Sequence, residues 1–243
     1  EQAAELKERF GDELCYQVTG QVSFEACWPA AKILWVREHE PEIFASIRHI
    51  LLLEDYMLYL LTGRFVSECS LLSSTEYWDI RTKKYWPEML EFLGVDEKWL
   101  PKIIEPGQLV GRILPEMAEE LGLSPDVKIS SGCMDQVAAA VGVGNIYPGI
   151  FSENIGASLA ICAPTEHLTY DPKRQMPVHY FAMPNTYMMH TFTTGGMCFR
   201  WFRDNFCQNE IGIQTATGMD SYYLMDLEAA QVPPGSDNKS EAK

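Results

Sequence analysis

The sequence predicts an α/β fold, and three local patterns carry that prediction. In the first, a short apolar, β-prone run, Val127 to Ser131, passes through Gly132 into Asp135. A stretch of small residues follows, Val137 to Val141, closed by Gly142 and Gly144. That order reads as strand, tight turn and short helix, with Asp135 at the helix start. In the second, Pro29 and Pro41 stand where helix-like stretches open, a position that tolerates the missing N–H of proline. In the third, the chain changes character after Gly144. Residues 145–163 are rich in glycine and β-branched side chains and read as a hairpin.

Taken in order, residues 1–13 form a charged, helix-like segment with no signal-peptide pattern. Pro29 sits in the first turn of a helix running to about His39, with Lys32 and Trp35 on one face. Pro41 opens another short helix. Ile50 to Leu53 is expected as a buried strand. Glu54-Asp55 then starts a helix through Leu61, which Gly63 ends. Residues 68–85, rich in Ser and Thr, are expected to be irregular. Helices are expected around 87–93 and 115–121. Beyond the helix that Asp135 opens, Pro148-Gly149 makes a turn. Gly156-Ala157-Ser158 forms the tip between two apolar runs, 150–155 and 159–162. Tyr187 to Thr193 reads as a strand, and Gly195-Gly196 precede a helix-like stretch, Met197 to Phe206. The best domain boundary lies near 145, which gives 1–144, 145–235 and a polar, flexible tail, 236–243.

Composition narrows the function classes. A chain of 243 residues with 47% hydrophobic residues can bury a substantial core in one large or two modest domains. Its formal net charge of -15 opposes non-specific binding to nucleic acid or to an anionic membrane. The most apolar stretch, 47–61, contains Arg48, His49, Glu54 and Asp55 and cannot span a bilayer. The seven cysteines are odd in number and show no Cys-x-x-Cys spacing, which argues for free thiols in a reducing compartment. The five histidines form no ligand-spaced set, so no metal site is expected from protein side chains. Cytoplasmic residence is the default expectation.

Several residues could carry chemistry. A carboxylate at position 135 would be fixed by backbone geometry and favoured by helical N–H groups, although an ordinary helix cap has the same form. Neither G-x-x-x-x-G-K-[ST] nor G-x-G-x-x-G occurs. Gly195-Gly196 could let a phosphate approach backbone N–H groups, or could be a simple turn. The tip Gly156-Ala157-Ser158 has the same two readings, with Ser158 offering a hydroxyl. Cys133 is a conceivable nucleophile with no histidine near it in sequence. Trp28 and Trp35 could stack on a sugar or belong to a core.

Together and in this order, these features resemble the FGGY family of carbohydrate kinases. The stretch from Pro29 through Lys32, Trp35 and Arg37-Glu38 to His39 resembles the first family signature, with Cys27 departing from its usual opening residue. Leu51-Leu52-Leu53-Glu54-Asp55-Tyr56, followed by Leu60-Leu61-Thr62-Gly63, is similar to "LLPKDYL…LTG". Glu105-Pro106-Gly107 through Gly111 resembles "EPGxxxG", and Gly132 to Gln136 resembles "GxxDQ". Gly195 through Trp201-Phe202-Arg203-Asp204 is similar to "GGxxRWFRD". The similarity runs from about residue 15 to 235, and xylulokinase-like members look closest.

The resemblance implies an actin-like ATPase architecture of two RNase H-like domains, truncated at both ends. Residues 1–144 would be the later part of the N-terminal, sugar-binding domain. Residues 145–235 would open the C-terminal, nucleotide domain. It implies ATP-dependent phosphorylation of a sugar hydroxyl, of a ketopentose or related polyol, with Mg²⁺. Asp135 would be the general base and Gln136 would bind sugar hydroxyls. Gly156 and Ser158 would lie near the nucleotide phosphates, and Gly196 and Arg200 where the second domain approaches the nucleotide. Phosphoryl transfer needs alignment and charge neutralisation more than covalent chemistry, which suits a fixed carboxylate.

Three departures matter. Ala157 replaces the central residue of a family Gly-Thr-Ser, removing a hydroxyl contact worth about 1–3 kcal/mol. The N-terminal D-x-G-T phosphate loop is absent. After Pro233-Pro234-Gly235-Ser236-Asp237 the sequence leaves the family pattern. The expectation is the middle of a kinase, exposing apolar surface that invites self-association. A homodimer is compatible with it. The alternative is a non-catalytic sugar-binding or assembly protein derived from the same fold.

Overall fold

The computed structural model describes residues 1–233; the expected flexible tail and the last residues of the 145–235 segment lie outside them. Helix α1 (Gln2–Thr19) extends past the expected 1–13, is interrupted at Gly11, and ends at Gly20 in the left-handed region, φ 80°. The Gly20 N–H closes that end on the Tyr16 carbonyl at 3.0 Å. Proline occupies the first turn of α2 (Pro29–His39) and α3 (Pro41–Ser46), where it pre-sets the helical φ and sacrifices no hydrogen bond.

Helix α4 (Leu53–Thr62) corrects the strand expected at 50–53. Leu53 is already helical and 80% exposed. The determinant is Asp55, whose carboxylate accepts the Leu52 N–H at 2.9 Å and caps the helix from within its first turn. The stretch 68–85 also differs from the irregular segment expected. After β1 (Val66–Glu68) it forms α5 (Cys69–Leu72), β2 (Trp78–Asp79) and β3 (Lys84–Tyr85). Most of residues 66–80 are buried. Their hydroxyls turn back onto their own backbone, Ser73 to Cys69 O at 3.0 Å and Thr75 to Leu72 O at 2.7 Å. That satisfies the polar groups locally and lets a Ser/Thr-rich segment enter a core.

Helix α6 (Pro87–Leu93) is followed by a 3-10 turn (Glu97–Trp99), β4 (Lys102–Ile104), β5 (Leu109–Arg112), α7 (Pro115–Leu121) and β6 (Lys128–Ser130). β1 pairs parallel with β4, β2 antiparallel with β3, and β5 antiparallel with β6. Helix α8 (Asp135–Gly142) leads to β7 (Ser152–Ile155), β8 (Ser158–Thr165), β9 (Val178–Tyr180) and β10 (Tyr187–Thr194). These last four strands form a sheet in the order β7-β8-β10-β9. Helices α9 (Gly196–Phe206), α10 (Gln208–Thr217) and α11 (Ser221–Ala229) follow.

The chain divides into two compact units. One comprises Glu1–Ser152 with Ile161–Thr191; the other comprises Glu153–Ala160 with the segment from Phe192. The main core of the first unit gathers Leu6, Phe24, Leu34, Leu72, Trp78, Ile80, Met89, Leu93 and Tyr180. A smaller cluster, Met134, Val137, Ala140, Cys162, Phe181 and Met188, seats the buried face of α8. Among the described residues no helix is long and apolar enough to cross a membrane.

Candidate active site

The turn between β6 and α8 is fixed by the backbone of the loop before β5 and by two side chains from distant elements. Ser131 N–H bonds the Gln108 carbonyl at 2.9 Å, and Gly107 N–H bonds the Gly132 carbonyl at 3.1 Å. These contacts tie the turn to the Glu105-Pro106-Gly107 loop. From α4, the Glu54 carboxylate accepts the Gly132 N–H at 3.1 Å. From α5, the Ser70 hydroxyl accepts the Met134 N–H at 2.9 Å. Val137 and Ala140 are buried beneath α8. Asp135 therefore stands exposed at the first helical position, on a backbone held on all sides. Its Oδ1 accepts the Gln136 N–H at 2.7 Å. A negative group there also gains from the positive end of the helix dipole.

Gln136 is half-buried, and its Oε1 is buried with no hydrogen-bond partner among the described residues. A buried amide oxygen without a donor is costly. Near α8, burial pushes His190 below its ordinary value, while the Asp135 charge opposes that shift. His179 lies against it, ring centroids 5.3 Å apart. Burial holds His179 down to about 3, so its ring is neutral, and Gln21 Nε2 lies 3.1 Å from its Nε2. The Cys133 thiol is pushed up to about 11, by burial first and then by the charges of Glu68 and Glu54. A thiol that stays protonated near neutrality is a poor nucleophile, so the cysteine reading loses its chemistry.

In the second unit, Gly156, Ser158, Gly195 and Gly196 come together. Gly196 N–H bonds the Gly156 carbonyl at 2.9 Å, while the N–H groups of Gly195 and Met197 both reach Ala157 O at 3.1 Å. A Cβ on Gly196 would lie 2.5 Å from Gly156 O, and one on Gly195 would lie 2.7 Å from the Leu159 nitrogen. The paired glycines are thus required for close approach to the hairpin tip. The N–H groups that open α9 are engaged by that tip. Ser158 is exposed, and Arg200 is an exposed side chain paired with Asp204 at 3.6 Å. Trp35 stacks on His39 at 4.8 Å on the outside of α2.

Sequence reasoning missed Glu54, Glu68 and Ser70 as parts of the Asp135 turn. It also missed a network on the same loop. Tyr180 donates to Glu105 Oε2 at 2.7 Å, and Lys83 Nζ lies 3.1 Å from the Tyr180 oxygen and 2.5 Å from Asn185 Oδ1. Only a glutamate standing inside an otherwise apolar and hydroxyl-rich stretch could have signalled Glu68.

Residues 1–142 match the N-terminal domain of the FGGY family of carbohydrate kinases. A xylulose kinase from Lactococcus lactis is 30% identical over 211 residues, which cover 84% of this chain and 40% of that protein. An autoinducer-2 kinase from Escherichia coli is 28% identical over 247 residues, covering 97% of this chain and 45% of the relative. The crystal structure of a ligand-bound xylulose kinase from Lactobacillus acidophilus superposes with a TM-score of 0.84 at 25% identity, over 97% of this chain and 46% of that one. The chain thus spans less than half the length of these relatives. The match over more than half of the sequence, carried on the actin-like ATPase fold of its structural neighbours, shows that this chain belongs to the FGGY family of carbohydrate kinases.

Proposed function

We propose that the complete protein transfers the γ-phosphoryl group of ATP to a hydroxyl of a sugar, a ketopentose or related polyol. In this reading Asp135 is the general base and Gln136 binds substrate hydroxyls. Residues 1–144 end the sugar-binding domain and 145–235 open the nucleotide domain. Gly156, Ser158, Gly196 and Arg200 serve the nucleotide side. The observation that carries the reading is the Asp135–Gln136 pair. It sets an exposed carboxylate on a braced helix start, beside an amide whose buried oxygen has no donor among the described residues.

The chemistry follows from that pair. The substrate hydroxyl donates to the Asp135 carboxylate, and the Gln136 amide holds a neighbouring hydroxyl, which fixes the sugar's orientation. As the hydroxyl oxygen bonds to phosphorus and the bond to the ADP oxygen breaks, the proton passes to Asp135. Among the described residues no group of three or more His, Cys, Asp or Glu side chains is placed to hold a metal ion. Mg²⁺ borne by the nucleotide fits the residues present, because it takes most of its ligands from phosphate and water. When bound it neutralises charge on the transferred group.

Asp135→Asn in the complete protein tests the reading. Turnover should fall about 10²–10⁴-fold, with sugar affinity by calorimetry within about threefold of the parent. Near-normal turnover would remove Asp135 from the role of base.

Ala157 favours a second reading, a non-catalytic sugar-binding or assembly protein. With the family hydroxyl absent and the Ala157 carbonyl already accepting two N–H groups, the tip offers a phosphate less than the family pattern does. Calorimetry on the complete protein separates the two. Sugar binding without nucleotide binding supports the second reading, and nucleotide binding ends it.

A further inference from the structure

The residue before Asp135 is tied at both its backbone and its side chain to one buried segment. Met134 N–H, at the cap position of α8, bonds the Ser70 hydroxyl at 2.9 Å. Met134 Sδ accepts the Ser74 hydroxyl at 3.3 Å. Ser70 itself is 0% exposed, and its hydroxyl donates to Glu68 Oε1 at 2.9 Å. A serine hydroxyl has one hydrogen. The Met134 N–H can only donate, so the Ser70 oxygen accepts from it and the one hydroxyl hydrogen goes on to Glu68.

Glu68 is equally committed. It is 0% exposed and takes the Ser70 N–H at 2.6 Å and the Leu71 N–H at 2.5 Å besides the hydroxyl. These donors cap α5 and fix the carboxylate in place. From the opposite side, Glu54 takes the Gly132 N–H. Two carboxylates thus bracket residues 132–134, one directly and one through a hydroxyl. The groups facing Glu68 are Glu54 and the neutral thiols of Cys69 and Cys133.

We propose that Ser70 and Glu68 are positioning residues for the phosphoryl-transfer step, a buried two-link brace that sets the direction of the Asp135 carboxylate through the Met134 N–H. The inference rests on the proposed role of Asp135. Removing the brace deletes no group that the proposed reading gives to the sugar, but it lets the α8 start that carries Asp135 and Gln136 drift. A drift of about 1 Å in a reacting group costs about 10²-fold in rate. The loss therefore belongs in kcat rather than in KM.

The test uses the complete kinase, with Ser70→Ala and Asp135→Asn made side by side. Two readouts are taken: the split between kcat and sugar KM, and deuterium uptake by the 132–137 segment. The expected result for S70A is a kcat lower by about 10–100-fold, a sugar KM within about threefold, and faster exchange at 132–137. S70A turnover within twofold of the parent, in a protein that D135N inactivates, overturns the brace alone. Full turnover in D135N overturns the base assignment instead. The exchange readout then still judges the brace, and unchanged uptake in S70A rejects it. Should S70A not fold, Glu68→Asp, which withdraws the carboxylate by one methylene, is read by the same split and the same exchange measurement.

Discussion

Glu76 is 0% exposed, sits at positive φ (63°), and keeps one carboxyl oxygen buried without a partner among the described residues. Its other oxygen accepts the Glu25 N–H at 3.1 Å. Burial pushes it from an ordinary 4.5 up to about 9, so it is a neutral acid at pH 7. The folded state holds this proton where the unfolded chain has released it, so stability falls as pH rises from about 4.5 to about 9. The melting temperature should decline across that window, and Glu76→Gln should flatten the decline. An unchanged slope in E76Q would mean that another group carries it. The place of Asp135 at a helix start was legible at this same scale, because strand, glycine and small-residue run surround it in sequence. Glu54, Glu68 and Ser70 were not. Their roles lie in hydrogen bonds to residues far along the chain, and no local pattern encodes a partner that only the fold supplies.

Elements divide along the same line. Helices that open on proline, and the α8 start, were readable because their determinants are local and steric. The strand expected at 50–53 came from an apolar run that ends in a helix cap, and Asp55 decided the outcome. β4, β5 and β9 are at most four residues long, and α10 and α11 show no strong pattern. Strands so short exist only because a neighbour pairs with them, as β1 does with β4 and β9 with β10. One junction makes a sharp test. Gly20 ends α1 with positive φ, and its carbonyl accepts the N–H of Val178, the first residue of β9, at 2.8 Å. A Cβ there would overlap the Val178 carbonyl oxygen. Gly20→Ala combines left-handed strain with a backbone collision and should cost about 2–4 kcal/mol. Thermal melting should show a fall of about 5–15 °C, and a shift under about 2 °C would contradict the described junction.

At the scale of the whole molecule, the family and the actin-like architecture were legible because ordered motifs recur along nearly the full sequence. The apolar surface of the second unit was foreseen only in outline. Met197 is 61% exposed, Trp201 57% and Phe206 64%, all on α9. Aromatic surface of that kind marks an interaction face. The 243-residue chain by itself should associate as its concentration rises. Light scattering should show the apparent mass climbing, and Trp201→Ser with Phe206→Ser should suppress the climb. A constant monomer mass for the parent chain would count against it.

The braced turn also bears on the order in which the proposed site is assembled. Glu54 meets Gly132 across 78 residues, and Ser70 meets Met134 across 64. Contacts of that sequence separation require large loops to close first, and they form late relative to local helices. α8 needs only its own residues to begin, but the direction of its first carboxylate waits for segments from both ends of that span. A chain still emerging from synthesis, or caught half-refolded, carries Asp135 on an unanchored turn. On the proposed reading, such a chain lacks a positioned base until the last of these closures is made.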